Sequence, residues 1–433
     1  MSYNDILSNG EKLLISIIIP TRDRADYLKY SVQTALKIDD IEIEVIVSDN
    51  ASSDHTKKII SSIKDDRLKY INTGKRVSMR ENFEFALKAS SGEYVIFFGD
   101  DDGIIPDQFR YLRNILLKYK PDALSWDFLT YVWPIKGYGK KTGGLRFVKK
   151  KIFGNIIQVN NKESKETLLN ADFSNESILP RIYHGCMSRH FLDTLINKDG
   201  IYFCSRSPDL HISFRATQKG GRFFKVNHPF SINGISPAST GGGMRSQDKT
   251  DKSISKSLEF ISEAKKDTVK DVIPLSKSMG LGFLSALETV RLHFPDPNFK
   301  PNYYKWYIFC LQNIHKVDRA SAKEILDATY LYSQETSTKG HFHKANTKNN
   351  ILNKKLKNLI SKINNIMFSF RISANLNNKN DILTAVQMSD IILSNDIEKT
   401  LLHKNSLKKQ FSSAKRRSKN IHYILYFAQK SRP

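Results

Sequence analysis

The first hundred residues alternate short apolar runs with segments of helical period, and this alternation limits the fold more than any other feature of the sequence. The apolar runs lie at 13–19, 43–47, 68–71 and 94–98. Between them, apolar residues recur at helical spacing, as at Leu28, Val32 and Ala35. Strands that alternate with helices form a mainly parallel sheet flanked by helices. The pattern therefore predicts an α/β fold whose ligands bind beyond the carboxyl ends of the strands.

An acidic cluster follows the fourth apolar run. Residues 93–106 read EYVIFFGDDDGIIP, so that Gly99 alone separates the run from Asp100, Asp101 and Asp102. The run is typical of a strand buried on both faces. Adjacent carboxylates repel one another, and a hard divalent cation such as Mg²⁺ would neutralise them. The alternative is a solvated acidic turn that caps the next helix.

Composition limits the class of protein. A chain of 433 residues with 40% hydrophobic content can form two or three folded domains. Its formal charge of +24 predicts an anionic partner: a phosphate-bearing substrate, a membrane surface or a nucleic acid. Three scattered cysteines indicate neither a disulfide framework nor a zinc site and favour a reducing compartment. We find neither a secretory signal nor an apolar run of about 18 residues, and therefore expect a cytoplasmic protein, soluble or peripheral to the membrane.

Two common phosphate-binding motifs are missing from the sequence. The chain contains neither GxGxxG after the first run nor GxxxxGK[ST], so backbone amides of those motifs are not available to bind phosphates. Phosphates would need a metal and cationic side chains instead. Arg76 and Arg80, at the start of the third helical segment, are candidates for that role, with solvated surface positions as the alternative.

The ordered set of motifs resembles glycosyltransferase family 2, whose members have the GT-A fold. The matching segments are ISIIIPTRDRADYL, VIVSDNASSDHT, SMRENFEFAL and EYVIFFGDDDGIIP, within residues 13–115. The resemblance implies a metal-dependent, inverting enzyme that uses Mn²⁺ or Mg²⁺. It would move a sugar from a nucleotide-diphosphate donor to a hydroxyl of a glycan or lipid-linked acceptor, in bacterial surface polysaccharide biosynthesis.

The same resemblance implies site residues. The donor would lie against Pro20, Thr21, Arg22, Asp49, Arg80, Asp100 and Asp101, with Asp49 bonded to the base. The metal would be held within Asp100, Asp101 and Asp102, which stand for the D-x-D motif of the family. Gly99 occupies the position where the first acid of that motif often lies. The ligand pair therefore stays open between Asp100 with Asp102 and Asp101 with a neighbour.

The catalytic base implied by the resemblance is Asp209, in the sequence SRSPDLHISFR. Such a carboxylate would take the proton of the acceptor hydroxyl while the bond to the leaving diphosphate breaks. The alternative is that Pro208 and Asp209 only begin a helix. His184 and His228 are candidate contacts to the acceptor or to the metal, although a single histidine is more often structural.

The C-terminal part of the sequence changes character. We expect residues 1–250 to form the GT-A domain, 251–335 a helical extension and 336–433 a basic, amphipathic helical region, with a polar linker near 336–350. Residues 341–433 contain 18 Lys and Arg against four Asp and Glu. Apolar residues at helical spacing over 352–370, and the aromatic run at 423–427, predict attachment to the inner face of the cytoplasmic membrane. The alternative is packing against the catalytic domain or against a second subunit of a homo-oligomer.

Two other classes of function stay open. A sugar-phosphate nucleotidyltransferase could use the same crevice and metal, but such enzymes usually have a glycine-rich loop where this chain has PTRDR. A basic nucleic-acid-binding protein without activity would account for the charge. However, the strand-end acids would repel phosphates unless a metal intervened, which makes nucleic acid the less favoured partner.

Overall fold

An eleven-stranded sheet forms the centre of the molecule. The computed structural model describes residues 12–134, 142–237, 262–274, 278–312, 314–347, 368–401 and 406–421. Up to residue 237 its helices and strands are β1 (Ile15–Thr21), α1 (Ala25–Leu36), β2 (Ile43–Asp49), α2 (Thr56–Ser62), β3 (Leu68–Asn72), α3 (Met79–Lys88), β4 (Tyr94–Phe97), β5 (Gly103–Ile104), α4 (Pro106–Tyr119), β6 (Ala123–Val132), β7 (Gly144–Val148), β8 (Ile156–Gln158), α5 (Asn161–Leu169), β9 (Gly185–Ser188), α6 (Arg189–Asp193), α7 (Pro208–Lys219) and β10 (Phe223–Ile235).

Helices dominate the remainder of the described chain. They are α8 (Met279–His293), α9 (Tyr303–Leu311), α10 (Arg319–Glu335), α11 (Lys339–Thr347), α12 (Ile382–Leu393), α13 (Asp396–Leu401) and α14 (Leu407–Lys419), with one strand, β11 (Ser369–Ser373), before α12. Across the described ranges, no helix combines the length and the apolar content needed to cross a bilayer.

The sheet confirms the predicted fold class. Strands β3, β2, β1 and β4 lie side by side and are parallel, with helices between them in the chain. Beyond β4 the order continues through β9, β6 and β7 to β11, and these pairings are antiparallel. Strand β10 runs parallel to β6, so its end lies at the same edge as the ends of β1, β2 and β4.

Burial on both faces explains the continuous apolar runs. In β1, Ile17 and Ile19 belong to the core on the α1 side of the sheet, whereas Ile18 belongs to the core on the α3 side. Neighbouring residues of a strand point to opposite faces, so a strand covered on both sides needs apolar residues throughout. A third core joins α8, α9, α10 and α11 into a helical body.

The C-terminal region departs from the prediction in two places. Phe370, expected at the end of a helix, lies in β11, which pairs with β7 and extends the sheet. The polar linker expected near 336–350 contains helix α11, because Phe342 and Ala345 are buried in the third core. The predicted helix at 352–370 otherwise falls largely outside the described residues, as does the aromatic run at 423–427.

Candidate active site

The ends of β1 and β4 bring the predicted donor and metal residues together. Thr21, the last residue of β1, donates a hydrogen bond from Oγ1 to Oδ2 of Asp100 at 2.7 Å. Arg24 Nη1 lies 2.9 Å from the other carboxylate oxygen of Asp100, and both side chains are largely buried. Asp100 is therefore neutralised by a protein cation. The sequence prediction did not assign Arg24 a role, although the arginine-rich loop PTRDR contains it.

Asp102 holds the turn that follows β4. Its Oδ2 accepts hydrogen bonds from Tyr183 Oη at 2.6 Å and from the amide of Gly99 at 2.9 Å. Its Oδ1 accepts from the amide of Gly234, at the end of β10, at 2.7 Å. Both oxygens of Asp102 are thus used to join three segments of the chain, which gives this carboxylate a structural role.

Asp101 differs from its two neighbours. Its Oδ2 accepts a hydrogen bond of 2.5 Å from Ser236, and its backbone carbonyl accepts from Nε1 of Trp133 at 2.9 Å. Gly234 is required beside it, since a Cβ at that position would lie 1.8 Å from the carbonyl oxygen of Asp101. Burial, reinforced by the charge of Asp102, raises the pKa of Asp101. The charge of Arg24, which Asp101 shares with Asp100, opposes this rise without cancelling it.

The three acids are buried, which excludes a solvated acidic turn. A divalent cation fits the cluster, because carboxylate oxygens are hard ligands and burial penalises their charge in the absence of a cation. Within the described part of the chain, no group of three or more His, Cys, Asp or Glu side chains is arranged to enclose a metal. A cation here would therefore take most of its ligands from water and from the phosphates of a bound substrate, as Mg²⁺ commonly does.

Asp49 lies at the end of β2, beside the acid cluster along the sheet edge. Its Oδ2 accepts hydrogen bonds from Tyr70 Oη at 2.6 Å and from Asn72 at 3.1 Å, while Oδ1 accepts from the amide of Ser52 at 2.9 Å. The residue is almost fully buried. These contacts fix the direction of the carboxylate, and Pro20 lies at the same edge, next to Thr21 in β1.

The structure does not support the donor contact expected of Arg80. Its buried guanidinium makes two hydrogen bonds to Asp267, of 2.7 and 2.8 Å, and Ser78 donates to the same carboxylate. Four residues earlier, Glu263 pairs with Arg22. Arg80 is therefore a structural ion-pair partner, whereas Arg22 lies at the strand-end crevice and holds a carboxylate there.

Asp209 lies in the first turn of α7, where Pro208 is the first helical residue. Burial raises the pKa of Asp209, and its charge in turn contributes to the raised pKa of Tyr183. Since Tyr183 donates its hydroxyl hydrogen to Asp102, the predicted base lies within electrostatic reach of the acid cluster. A carboxylate with a raised pKa is a stronger base than an exposed one, as a general base requires.

The two histidines have structural partners on both ring nitrogens. His228 accepts from the amide of Phe153 at 3.2 Å, and its Nε2 lies 3.0 Å from Gln108 Oε1. It is fully buried, so the expected contact to metal or acceptor is wrong for His228. His184 bonds Ser231 at 2.8 Å, and its Nε2 lies 3.4 Å from Asp102. Burial lowers the pKa of His184 to about 3, so the ring is neutral at physiological pH.

Comparison with known proteins finds similarity in the N-terminal part of the chain. Residues 16–176 match the sequence model described as "Glycosyl transferase family 2". A β-1,3-glucosyltransferase of Campylobacter jejuni, named for the acceptor GalNAc(5)-diNAcBac-PP-undecaprenol, is 35% identical over 94 residues, which are 21% of this chain and 30% of that protein. The E. coli enzyme WfaP, named a UDP-Glc:α-D-GlcNAc-diphosphoundecaprenol β-1,3-glucosyltransferase, is 35% identical over 122 residues, 27% of this chain and 49% of that protein.

The match to these relatives is partial. The chain spans less than half the length of either enzyme. A crystal structure of S. aureus TarS 1–349 with UDP-GlcNAc aligns with 77% of this chain and 90% of that chain, at 15% identity and a TM-score of 0.43. That superposition is too loose to transfer a function.

Proposed function

We propose that the chain is a glycosyltransferase of family 2, the family whose sequence model matches residues 16–176. In this proposal it transfers a sugar from a nucleotide-diphosphate donor to an acceptor hydroxyl with inversion at the anomeric carbon. The observation that carries the proposal is the convergence of Thr21, Asp49 and the acids after β4 at one sheet edge, with Asp209 within electrostatic reach. Parallel sheets bind their ligands in this crevice.

On the donor side, Asp49 is suited to accept a hydrogen bond from the base. Three protein donors orient its carboxylate, which retains lone pairs for a further donor. Pro20, Thr21 and Arg22 would border the nucleotide. Arg22 would exchange Glu263 for the phosphates of the donor, because a guanidinium binds either anion by charge-assisted hydrogen bonds.

The metal ligand favoured by the contacts is Asp101. Asp100 is neutralised by Arg24, and both carboxylate oxygens of Asp102 accept hydrogen bonds that hold the turn. Of the two ligand choices left open by the sequence, we therefore favour the one that includes Asp101. A bound Mn²⁺ or Mg²⁺ would neutralise the charge that develops on the leaving diphosphate. Ser236 and Trp133 hold Asp101 in place for this role.

Asp209 would act as the general base. It takes the proton from the acceptor hydroxyl as that oxygen bonds to the anomeric carbon and the bond to the diphosphate oxygen breaks. Burial favours the protonated product of this step, and the charge of Asp209 acts on Tyr183, which is hydrogen-bonded to the turn that carries the acids.

We propose that the acceptor hydroxyl belongs to a glycan carried on a lipid diphosphate, as in surface polysaccharide synthesis. The names of both relatives specify diphosphate-linked undecaprenol acceptors. Such a substrate would keep the protein at the inner face of the cytoplasmic membrane, where its net charge of +24 favours anionic lipid.

The donor and metal claims can be tested together by thermal unfolding with a panel of nucleotide sugars. We expect at least one sugar nucleotide to stabilise the protein in Mn²⁺ but not in chelator; at 100 times its dissociation constant a ligand contributes about 2.7 kcal/mol. Asp101→Asn should lose this stabilisation, whereas Asp66→Asn, which removes an exposed acid that precedes β3, should keep it. Equal stabilisation of Asp101→Asn, or stabilisation that persists in chelator, would reject the assigned metal role.

A further inference from the structure

Two cations lie against the ring of Phe128, beside the acid cluster. Lys151 Nζ lies 4.9 Å from the ring centre and Arg181 Cζ lies 5.8 Å from it. The ring of Phe128 also stacks on His184, with centroids 4.6 Å apart. Since His184 Nε2 is 3.4 Å from Asp102, two side chains separate these cations from the acids after β4.

The basic side chains near Phe128 extend from ordered segments of the backbone. Lys150 and Lys151 belong to a 3-10 turn directly after β7, and Arg181 precedes β9. Arg181 donates from Nη2 to the carbonyl of Trp126 at 2.7 Å, which anchors the guanidinium group. Lys150 is exposed and the side chain of Lys151 retains 30% of its accessible surface, so both ammonium groups can reach a ligand. We call Lys151 and Arg181 at the Phe128 ring, together with Lys150 next in the chain, the Phe128 cation cluster.

Positive charge exceeds negative charge around Phe128. Asp127 lies 3.5 Å from Lys151, and the charges of Lys150 and Arg181 also act on its carboxyl. One acid thus faces three cations, so the surroundings of Asp127 keep an excess of positive charge. The charges of Arg181 and Lys151 also help to lower the pKa of the neighbouring His184, so their field extends to the edge of the acid cluster.

We propose that the Phe128 cation cluster binds the phosphate or diphosphate group of the acceptor. The inference rests on the proposed transfer function and extends it to the acceptor side. Acids at the strand ends would repel a second diphosphate, so an acceptor that carries one needs cations of its own close to the site. Lysine and arginine form charge-assisted hydrogen bonds to phosphate oxygens, and the aromatic ring holds them in place.

The kinetic test compares two acceptors with the same glycan, one linked to an alkyl diphosphate and one to an uncharged alkyl ether. For Lys150→Gln/Lys151→Gln we expect KM for the diphosphate acceptor to rise on the order of tenfold, the loss of a charge-assisted contact. KM for the ether, and kcat for both, should stay the same. Lys58→Gln/Lys323→Gln, two exposed lysines elsewhere, is the charge-matched control, and Lys150→Arg/Lys151→Arg should restore KM. Equal changes for both acceptors would overturn the proposal.

A binding measurement separates the site from the activity. Calorimetry with decyl diphosphate, without donor and in chelator, should show weaker binding to Lys150→Gln/Lys151→Gln than to the wild type and to the control variant. Inorganic diphosphate in the same assay shows whether the cluster needs the alkyl-linked group or binds any diphosphate. Unchanged binding to the double variant overturns the proposal. Reduced binding together with no transfer to any acceptor leaves the site in place and rejects the proposed function.

Discussion

Neighbouring carboxylates acquire different roles from their partners. Asp100 is hydrogen-bonded to Arg24 and Asp102 accepts from three donors, whereas Asp101 accepts from a serine hydroxyl and only shares the charge of Arg24. The sequence shows the three acids as equivalent because their partners come from loops far along the chain. Tyr183 and Gly234 follow Asp102 by 81 and 132 residues.

Asp209 is the residue on which turnover should depend most. We expect Asp209→Asn to lower kcat on the order of 10²- to 10⁴-fold, because an amide cannot accept the acceptor proton. Donor affinity should change little, since the residue lies outside the set of side chains that border the nucleotide. Steady-state kinetics with a fixed acceptor, together with donor binding measured separately, distinguish the two effects. A variant that loses donor binding instead would assign Asp209 to the donor site.

The pKa of Glu44 predicts how the free energy of unfolding depends on pH. Its buried carboxylate accepts hydrogen bonds from Ser16, Lys69 and Ser91, and these partners outweigh burial and lower its pKa from 4.5 to about 2. A carboxyl group whose pKa is lower in the folded state stabilises the protein at pH values above its pKa in the unfolded chain. This stabilisation is lost as the pH falls from about 4.5 towards 2.

Glu44→Gln should therefore be clearly less stable than the wild type at pH 6, and the difference should shrink below pH 4.5. Urea unfolding of both proteins between pH 6 and 3 measures the difference in unfolding free energy. A gap that widens in acid would contradict the assigned partners.

The segment at 262–274 joins several elements through ion pairs. Its acids at four-residue intervals, Glu263, Asp267 and Asp271, contact arginines at the end of β1, in α3 and before α7. From sequence this segment is assigned only to the helical extension expected over 251–335. The partners of the three acids lie 65 or more residues away, which local pattern does not reveal.

Asp267→Ala should be strongly destabilising. Loss of the carboxylate leaves the Arg80 charge buried without its ion-pair partner, at a cost of about 3–5 kcal/mol. Replacing both residues, as Arg80→Met with Asp267→Leu, removes the buried charge and should recover much of that loss. Urea unfolding compares the three proteins. If the double variant folds normally and also retains donor binding, Arg80 has a structural role only; loss of donor affinity would restore its predicted role.

Prediction from sequence succeeded where both faces of an element are buried. The apolar runs of β1, β2 and β4 located the core of the sheet, because burial on two sides leaves little freedom in composition. Prediction from sequence failed for β11, where exposed Arg371 and Ser373 alternate with half-buried residues. An edge strand with one covered face lacks a continuous apolar run, and its register depends on β7, more than 200 residues earlier.

At the scale of the whole molecule, the C-terminal region both packs against the sheet and exposes positive charge. Phe411 of α14 packs on Phe370 of β11, so the apolar face of α14 is used for folding. Its outer face exposes five cations: Lys408, Lys409, Lys415, Arg416 and Lys419. The described part of this region therefore supports packing against the catalytic domain and offers charge, but not an apolar stripe, to a membrane.

We expect the exposed cations of α14 to strengthen binding to anionic vesicles. Each basic residue near such a surface contributes up to about 1 kcal/mol, so replacing four of them by Gln should release much of the protein at moderate salt. Cosedimentation with vesicles containing anionic lipid measures the bound fraction. The variant changes Lys408, Lys409, Lys415 and Arg416, and its control changes the exposed residues Lys57, Lys58, Lys64 and Lys323. Equal release of both variants would leave net charge, rather than this helix, as the cause.

The position of β11 at the edge of the sheet has a consequence for synthesis on the ribosome. Strand β7 emerges about 220 residues before β11, so during translation the edge of β7 that faces away from β6 has no strand beside it. Open strand edges promote association between nascent chains until they are covered. The pairing with β11 covers this edge, so nascent chains that end before β11 should associate more readily than those that contain it.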